Sequence, residues 1–190
     1  HEKRYYIVDF SGKGPVRAIV PEYLTDVYAN GDRLAPETGT LNFTASGDSS
    51  LIAFAPGPEL PLGLLNAMPW AIDGQAPGQR APTFTPRGTG FFHHAGVSAN
   101  IIGRLPAARA LTLQGKLIID AHAKNGLIGT VHINGRRVLE VNNVERPWSP
   151  KSFDVNISEF AGRQVMIQFA TTGKGGYNYG GWENFEIAEK

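Results

Sequence analysis

Val131-His132-Ile133-Asn134-Gly135-Arg136-Arg137-Val138-Leu139 is the stretch whose reading decides the fold. Val131 and Ile133 fall on one face of an extended segment and His132 on the other, the period-2 alternation of a half-buried strand. Asn134-Gly135 then closes a two-residue hairpin, because both residues tolerate the positive φ of a type I′ turn. Val138 to Val141 carries the chain back. The same reading extends in both directions. Phe153, Val155 and Ile157 alternate with polar residues, and Ser158-Glu159-Phe160-Ala161-Gly162 reads as a one-turn connection ending in glycine. Val165, Ile167 and Phe169 alternate again, and Trp182 to Ile187 forms a last strand. Upstream, Leu111-Thr112-Leu113 and Lys116 to Ala123 read as one strand or two joined strands. Tyr5 to Phe10 and Val16 to Val20 are the first two strands. Leu41 to Thr44 and Leu51 to Phe54 flank Ser46-Gly47-Asp48-Ser49, which predicts a hairpin. About nine or ten strands with frequent turn signals and scarce helical periodicity describe an all-β antiparallel sandwich, a single domain over residues 1–190.

Composition agrees. Of 190 residues, 42% are hydrophobic, enough for a sizeable core, and only 18% are charged. The 23 glycines and 13 prolines are scattered, as turns between short elements require. The net charge of +1 comes with no basic stripe, so a nucleic-acid partner is not expected. Absence of cysteine excludes disulfides and thiolate metal sites. No apolar run is long enough to span a bilayer, and no signal peptide is recognisable. Residues 56–90 stand apart, with Pro56, Pro58, Pro61, Pro69, Pro77, Pro82 and Pro86. This Pro/Gly-rich insert reads as an elaborate connection within the domain, with one short helical turn over Leu60 to Met68.

Three pieces of the later chain resemble a known family. His94-Ala95-Gly96-Val97-Ser98-Ala99-Asn100-Ile101-Ile102-Gly103-Arg104-Leu105 resembles its small-residue turn leading into an apolar strand. The Val131–Leu139 hairpin resembles its central hairpin. Phe153 to Gly162, followed by Gly181-Trp182-Glu183-Asn184-Phe185-Glu186-Ile187, resembles its closing strands. The family is the galactose-binding-like jelly rolls, and within them the NPCBM-like carbohydrate-binding modules appended to glycoside hydrolases. The resemblance implies a jelly-roll β-sandwich that binds a polysaccharide or oligosaccharide without catalysing, beside a catalytic domain, in a secreted or periplasmic setting. It also implies a structural calcium near the chain termini and no other cofactor.

Sugar recognition needs flat aromatic faces for the C–H face of a pyranose and planar polar groups for its hydroxyls. Both occur in Gly173-Lys174-Gly175-Gly176-Tyr177-Asn178-Tyr179-Gly180-Gly181-Trp182, a loop joining the last two strands. Lys174, Tyr177, Asn178 and Tyr179 are therefore candidate carbohydrate-binding residues; the alternative is a plain turn with tyrosines packed on the rim. Trp148, between Pro147 and Pro150, and Trp70, after Pro69, are candidate stacking platforms or loop plugs over the sheet. Trp182 is expected in the core. His93 and His94 would point to opposite faces of a strand, which disfavours a shared metal ion, and His94 is expected to steady the following turn. His132 is expected at the surface or across from a neighbouring strand. Calcium would need several oxygen ligands meeting at one point, whereas Asp9, Asp32, Asp48 and Glu186 are dispersed and no EF-hand spacing occurs, so no ligand set is assigned.

No G-x-S-x-G elbow, H-E-x-x-H pair or phosphate loop occurs, and no carboxylate pair stands out among the 17 Asp and Glu residues. No catalytic residue is assigned. Two alternatives stay open. One is a structural sandwich packed against a catalytic domain, which would expose an apolar patch. The other is a jelly-roll polysaccharide lyase or hydrolase, which could recruit Tyr177, His94, Arg87 and Lys174.

Overall fold

The computed structural model describes residues 4–36, 39–47, 49–65, 68, 71–74, 84–108, 110–119, 126–143, 150–173 and 179–190. The first part of the chain carries β1 (Tyr5–Phe10), β2 (Lys13–Ile19), β3 (Asp26–Ala29), β4 (Asp32–Leu34), β5 (Thr40–Ser46) and β6 (Ser49–Phe54). The insert carries β7 (Gly63–Leu64), β8 (Ala71–Gly74) and β9 (Phe84–Arg87). The remainder carries β10 (Gly90–His94), β11 (Val97–Arg104), β12 (Leu111–Ile119), β13 (Leu127–Ile133), β14 (Arg136–Asn143), β15 (Lys151–Asn156), β16 (Gln164–Thr172) and β17 (Tyr179–Glu189). One 3₁₀ turn, Ser158–Phe160, precedes β16.

Two antiparallel sheets form the jelly roll. One has the order β15-β12-β17-β10-β9, with β7 also paired to β17; the other has the order β14-β13-β16-β11-β8. Alternate residues of both face inward. Leu113, Leu117, Trp182 and Phe185 from the first meet Ile101, Val131, Ile167 and Phe169 from the second, all fully buried. Leu111–Leu113 and Lys116 onward prove to be one strand, whose register against β17 shifts between Gln114 and Lys116.

The first 55 residues add two more layers. Strands β1-β6-β3-β4 form a sheet, and β2 and β5 form a ribbon. Leu51-Ile52-Ala53-Phe54 is apolar on both faces of β6 because it is covered on both. Leu51 and Ala53 join Val27, Ala29 and Leu41 beneath the ribbon. Ile52 and Phe54 join Tyr28 and Met166, packing this sheet on the outer face of the β13-β16-β11 sheet. The hairpin expected between Leu41–Thr44 and Leu51–Phe54 does not form. Strand β5 pairs β2, while β6 pairs β1 and β3. Phe10 lies opposite Ser49 and Lys13 opposite Ser46, with Gly47 N–H donating to Gly12 O at 3.0 Å. One long ribbon thus bends from one layer to the next, and burial of both faces of β6 outweighs local pairing.

The insert contributes short strands, and within Leu60 to Met68, where a single turn was expected, Met68 N–H donates to Leu65 O at 3.0 Å, the spacing of one turn. Gly63–Leu64 pairs with β17, Ala71–Gly74 with β11 and Phe84–Arg87 with β10. Leu60 N–H donates to Arg104 O at 2.8 Å, and Leu60 and Leu65 are buried in the sandwich core. Hydrogen bonds to neighbouring strands, together with these two core contacts, hold its described strands on the sandwich.

Two Asn-Gly turns lock the layers together. Asn134 and Gly135 have φ of 53° and 83°, as the hairpin reading requires, and Asn30 and Gly31 between β3 and β4 have 51° and 91°. Each asparagine clamps a neighbouring strand. Asn134 Oδ1 accepts from Met166 N–H at 2.8 Å, and Asn30 Oδ1 accepts from Ser50 N–H at 2.8 Å. The glycines meet each other: a Cβ on Gly135 would stand 3.6 Å from Gly31 N, and one on Gly31 would stand 2.6 Å from Arg136 Cβ.

His93 and His94 point to opposite faces of β10. His93 lies inside, 0% exposed, with its Nε2 accepting from Trp182 Nε1–H at 3.2 Å. Burial pushes its pKa down to about 4. Because the folded value lies below the unfolded value near 6.5, stability is fully present above pH 6.5 and lost as pH falls toward 4, by up to about 3 kcal/mol. Urea midpoints between pH 7 and 4.5 are expected to fall more steeply for the parent protein than for His93→Gln; parallel curves would remove this role. Gly31→Ala, with its positive φ and blocked Cβ, is expected to cost more than about 1 kcal/mol in thermal unfolding, whereas alanine at Gly88, which has open space, is expected to lack the steric share of that cost.

Candidate functional site

The docking of the β1-β6-β3-β4 sheet on the sandwich leaves a polar cleft of about 610 Å³ between them. One wall comes from β1 and β6. Alternation places Ile7 and Asp9 of β1, with Ser50 and Ile52 of β6, toward the sandwich, and Phe10 and Asn30 close the end. The other wall is the outer face of the sandwich sheet: His132 of β13, Gln168 of β16 and Gly135 of the hairpin turn. His132 and Gln168 are direct cross-strand partners, so the register brings them together. Ile52 is the buried floor residue and also belongs to the contact core between the sheets.

The polar groups of this cleft are unequally occupied. Asp9 is exposed and makes no hydrogen bond or ion pair among the described residues. Gln168 Nε2 donates to Ser98 Oγ at 3.2 Å, which fixes the amide. His132 Nδ1 is buried with no hydrogen bond, an unsatisfied atom beside an open space. Burial pushes the His132 imidazole below the ordinary histidine range; the Arg137 guanidinium adds to this and Asp9 opposes it. The ring is therefore neutral at pH 7, with one nitrogen to donate and one to accept. Phe10, next along β1 from Asp9, turns its ring to the other face, where it packs edge-on against Phe43 beneath the ribbon, with ring centroids 5.6 Å apart. The cleft thus offers a free carboxylate, an amide and a neutral imidazole beside the Ile7 side chain, a set suited to vicinal hydroxyls on a partly apolar ring.

Sequence reasoning did not single out this cleft. His132 was expected only at the surface or across a strand, and it is a half-buried wall residue facing Gln168. A signal was present in Leu51-Ile52-Ala53-Phe54, whose two apolar faces require a second layer, but the partner of that layer is not legible from one strand. The aromatic loop is the other candidate. Tyr179 is the first residue of β17 and packs edge-on against His94, with ring centroids 4.7 Å apart. It lies opposite His94 in the ladder, on the other sheet of the sandwich from His132 and Gln168. Lys174, Tyr177, Asn178, Trp148 and Trp70 lie outside the described residues. His94 is buried, and its Nδ1 stands 2.9 Å from Ala95 O, at the turn it was expected to steady. Trp182 is a core residue.

Asp9, Asp32 and Glu186 stand on three different strands, and Asp48 lies outside the described residues. Among the described residues no group of three or more His, Asp or Glu side chains converges to hold a metal ion. Among them, too, no helix is long and apolar enough to cross a membrane. Exposed apolar side chains gather where Tyr6, Val8 and Ile19 border a groove of about 290 Å³ between the β1 sheet and the ribbon.

No family model matches the chain, and no curated protein matches it. Solved structures of similar fold include the xylan-binding module CBM15, 11% identical over 67% of this chain and 95% of that one, with a TM-score of 0.50. TmCBM61 in complex with β-1,4-galactotriose is 12% identical over 67% of this chain and 94% of that one, with a TM-score of 0.47. The tandem CBM51 modules of Sp3GH98, the family 98 glycoside hydrolase from Streptococcus pneumoniae SP3-BS71, are 10% identical over 98% of this chain and 81% of that one, with a TM-score of 0.46. At such identities the likeness is one of fold. The jelly-roll sandwich expected from the later motifs is the fold found.

The environment of His132 is directly measurable. Its imidazole, followed by NMR, is expected to titrate below 6.5, to move up in Arg137→Ala and to move further down in Asp9→Asn. A titration at the ordinary value, unmoved by either change, would mean that the cleft is not closed as described.

Proposed function

We propose that this chain is a non-catalytic carbohydrate-binding module whose glycan lies in the cleft between β1, β6, β13 and β16. The observation that carries the reading is the combination of the unpaired Asp9 carboxylate, the neutral His132 and the Gln168 amide around one cleft, on a jelly-roll fold. Asp9 accepts from two adjacent hydroxyls, Gln168 and His132 supply a donor and an acceptor each, and Ile7 takes the C–H face. Among the described residues no Lys or Arg lines the wall, which favours a neutral sugar. The module acts by holding an adjacent catalytic domain on its polysaccharide, in an extracellular setting. Tyr177, Tyr179, Trp148 and Trp70, with Asn178 and Lys174, are the competing location for the same activity.

Affinity electrophoresis against xylan, galactan, arabinan and mannan, followed by calorimetry on the retained glycan, tests both. Asp9→Ala and Gln168→Ala are each expected to weaken binding roughly tenfold, as loss of a charge-assisted or fixed hydrogen bond does, without shifting the thermal midpoint. Binding that survives both changes and is lost in Tyr177→Ala or Trp148→Ala would move the site to the loop. No retardation by any neutral glycan would sink the proposal.

A further inference from the structure

On the far side of the two Asn-Gly turns lies a second, larger cleft of about 760 Å³. The turns divide the two spaces: Asn30 and Gly135 line the first, Gly31 and Asn134 the second. Their chemistries differ. Three guanidinium groups from three separate elements line the second cleft: Arg33 of β4, Arg104 of β11 and Arg163, just before β16. Arg163 has no ion-pair partner among the described residues. Arg33 touches Asp26 only at 3.3 Å, and Arg104 reaches Glu59 at 3.4 Å through Nε and Gly162 O at 3.3 Å through one amino group. A guanidinium carries five N–H donors, so most of the donors in this cleft are unused.

Tyr28 supplies a further donor. Its ring is stacked on Phe54, with centroids 5.9 Å apart, and its hydroxyl makes no hydrogen bond among the described residues. Burial, with Asp26 beside it, pushes its pKa up against the opposing pull of Arg33 and Arg163, so the hydroxyl stays protonated. The amides of Asn134 and Gln164 are already committed to backbone groups of Met166 and Gly57. Two carboxylates also line the cleft. Asp26 is held by Thr25 and Arg33, while Asp32 is exposed and unpaired among the described residues. The lining is therefore rich in donors and has one free acceptor. That suits a ligand with a single carboxylate and several hydroxyls better than a dense polyanion, which Asp32 would repel.

The geometry points to this cleft as a second binding site, for a uronic acid residue of a polysaccharide. The uronate carboxylate meets Arg163 and the free donors of Arg33 and Arg104, Tyr28 donates to a ring oxygen or hydroxyl, and Asp32 accepts from a hydroxyl. That the acid is a sugar rests on the glycan-binding reading above; that it is an anion rests on the arginines alone.

Calorimetry with oligogalacturonate, oligoalginate and glucuronoxylan fragments tests the site. At least one is expected to bind, roughly tenfold more weakly to Arg163→Ala and partly restored in Arg163→Lys, whose point charge replaces part of a bidentate contact. Asp9→Ala is expected to leave uronate binding unchanged, and Arg163→Ala to leave neutral-glycan binding unchanged, which separates the two clefts. A carboxyl-reduced form of the bound polymer is expected to lose this binding. No binding to any of the three uronates, or binding indifferent to Arg163→Ala, overturns the site. Equal binding of polyglutamate, or stronger binding of heparin, overturns its assignment to a uronate.

Discussion

The contact between two Asn-Gly turns governs the geometry of this molecule. Each turn puts an asparagine and a glycine at positive φ, and each asparagine reaches sideways to accept from a neighbouring backbone N–H. Glycine at the contact lets the backbones approach to a distance that any side chain would forbid. Around this point Tyr28, Ile52, Phe54 and Met166 bury the interface between the first sheet and the sandwich. The orientation of the two parts follows from that contact, and with it the position of both clefts, which open on opposite sides of the turns.

The arrangement is a stack of four β layers with a separate apolar core in each gap. Such stacks expose edges, and unpaired edges invite further strand addition. The Pro/Gly-rich insert meets this problem. Its three short strands lie along β17, β11 and β10, and Leu60 and Leu65 anchor it in the sandwich core. Pro86 also leaves β9 one ladder donor short. The insert also supplies Pro56 to the rim of the arginine-lined cleft.

The two clefts show how one interface can present two chemistries. Both use residues on strand faces that point away from the sandwich core, where alternation frees them from packing. In the first, an unpaired carboxylate faces a neutral imidazole held down by burial. In the second, guanidinium groups outnumber their partners. The difference arises because opposite ends of the same strands border the two spaces: β16 offers Gln168 to one and Gln164 to the other.

Local pattern carried much of the fold. Alternation in Val131–Ile133, the turn at Asn134-Gly135 and the closing strands to Ile187 are decided within a few residues of one another, by pleat geometry and by the few residues that accept positive φ. The core position of Trp182 and the opposed faces of His93 and His94 follow from the same short-range rule. What depended on distant pairing was not legible. Leu41–Thr44 and Leu51–Phe54 look like a hairpin locally, yet β6 is placed by layers on both of its faces. Asp9 is one carboxylate among many until β1 lies across from His132 and Gln168, and Arg163 is an ordinary surface arginine until β4 brings Arg33 alongside. The sequence by itself determined which segments are strands and which side of each is apolar, because those are properties of neighbours along the chain. Tertiary structure alone decided which polar faces meet across a gap, because that depends on how the layers dock at the Asn-Gly turns.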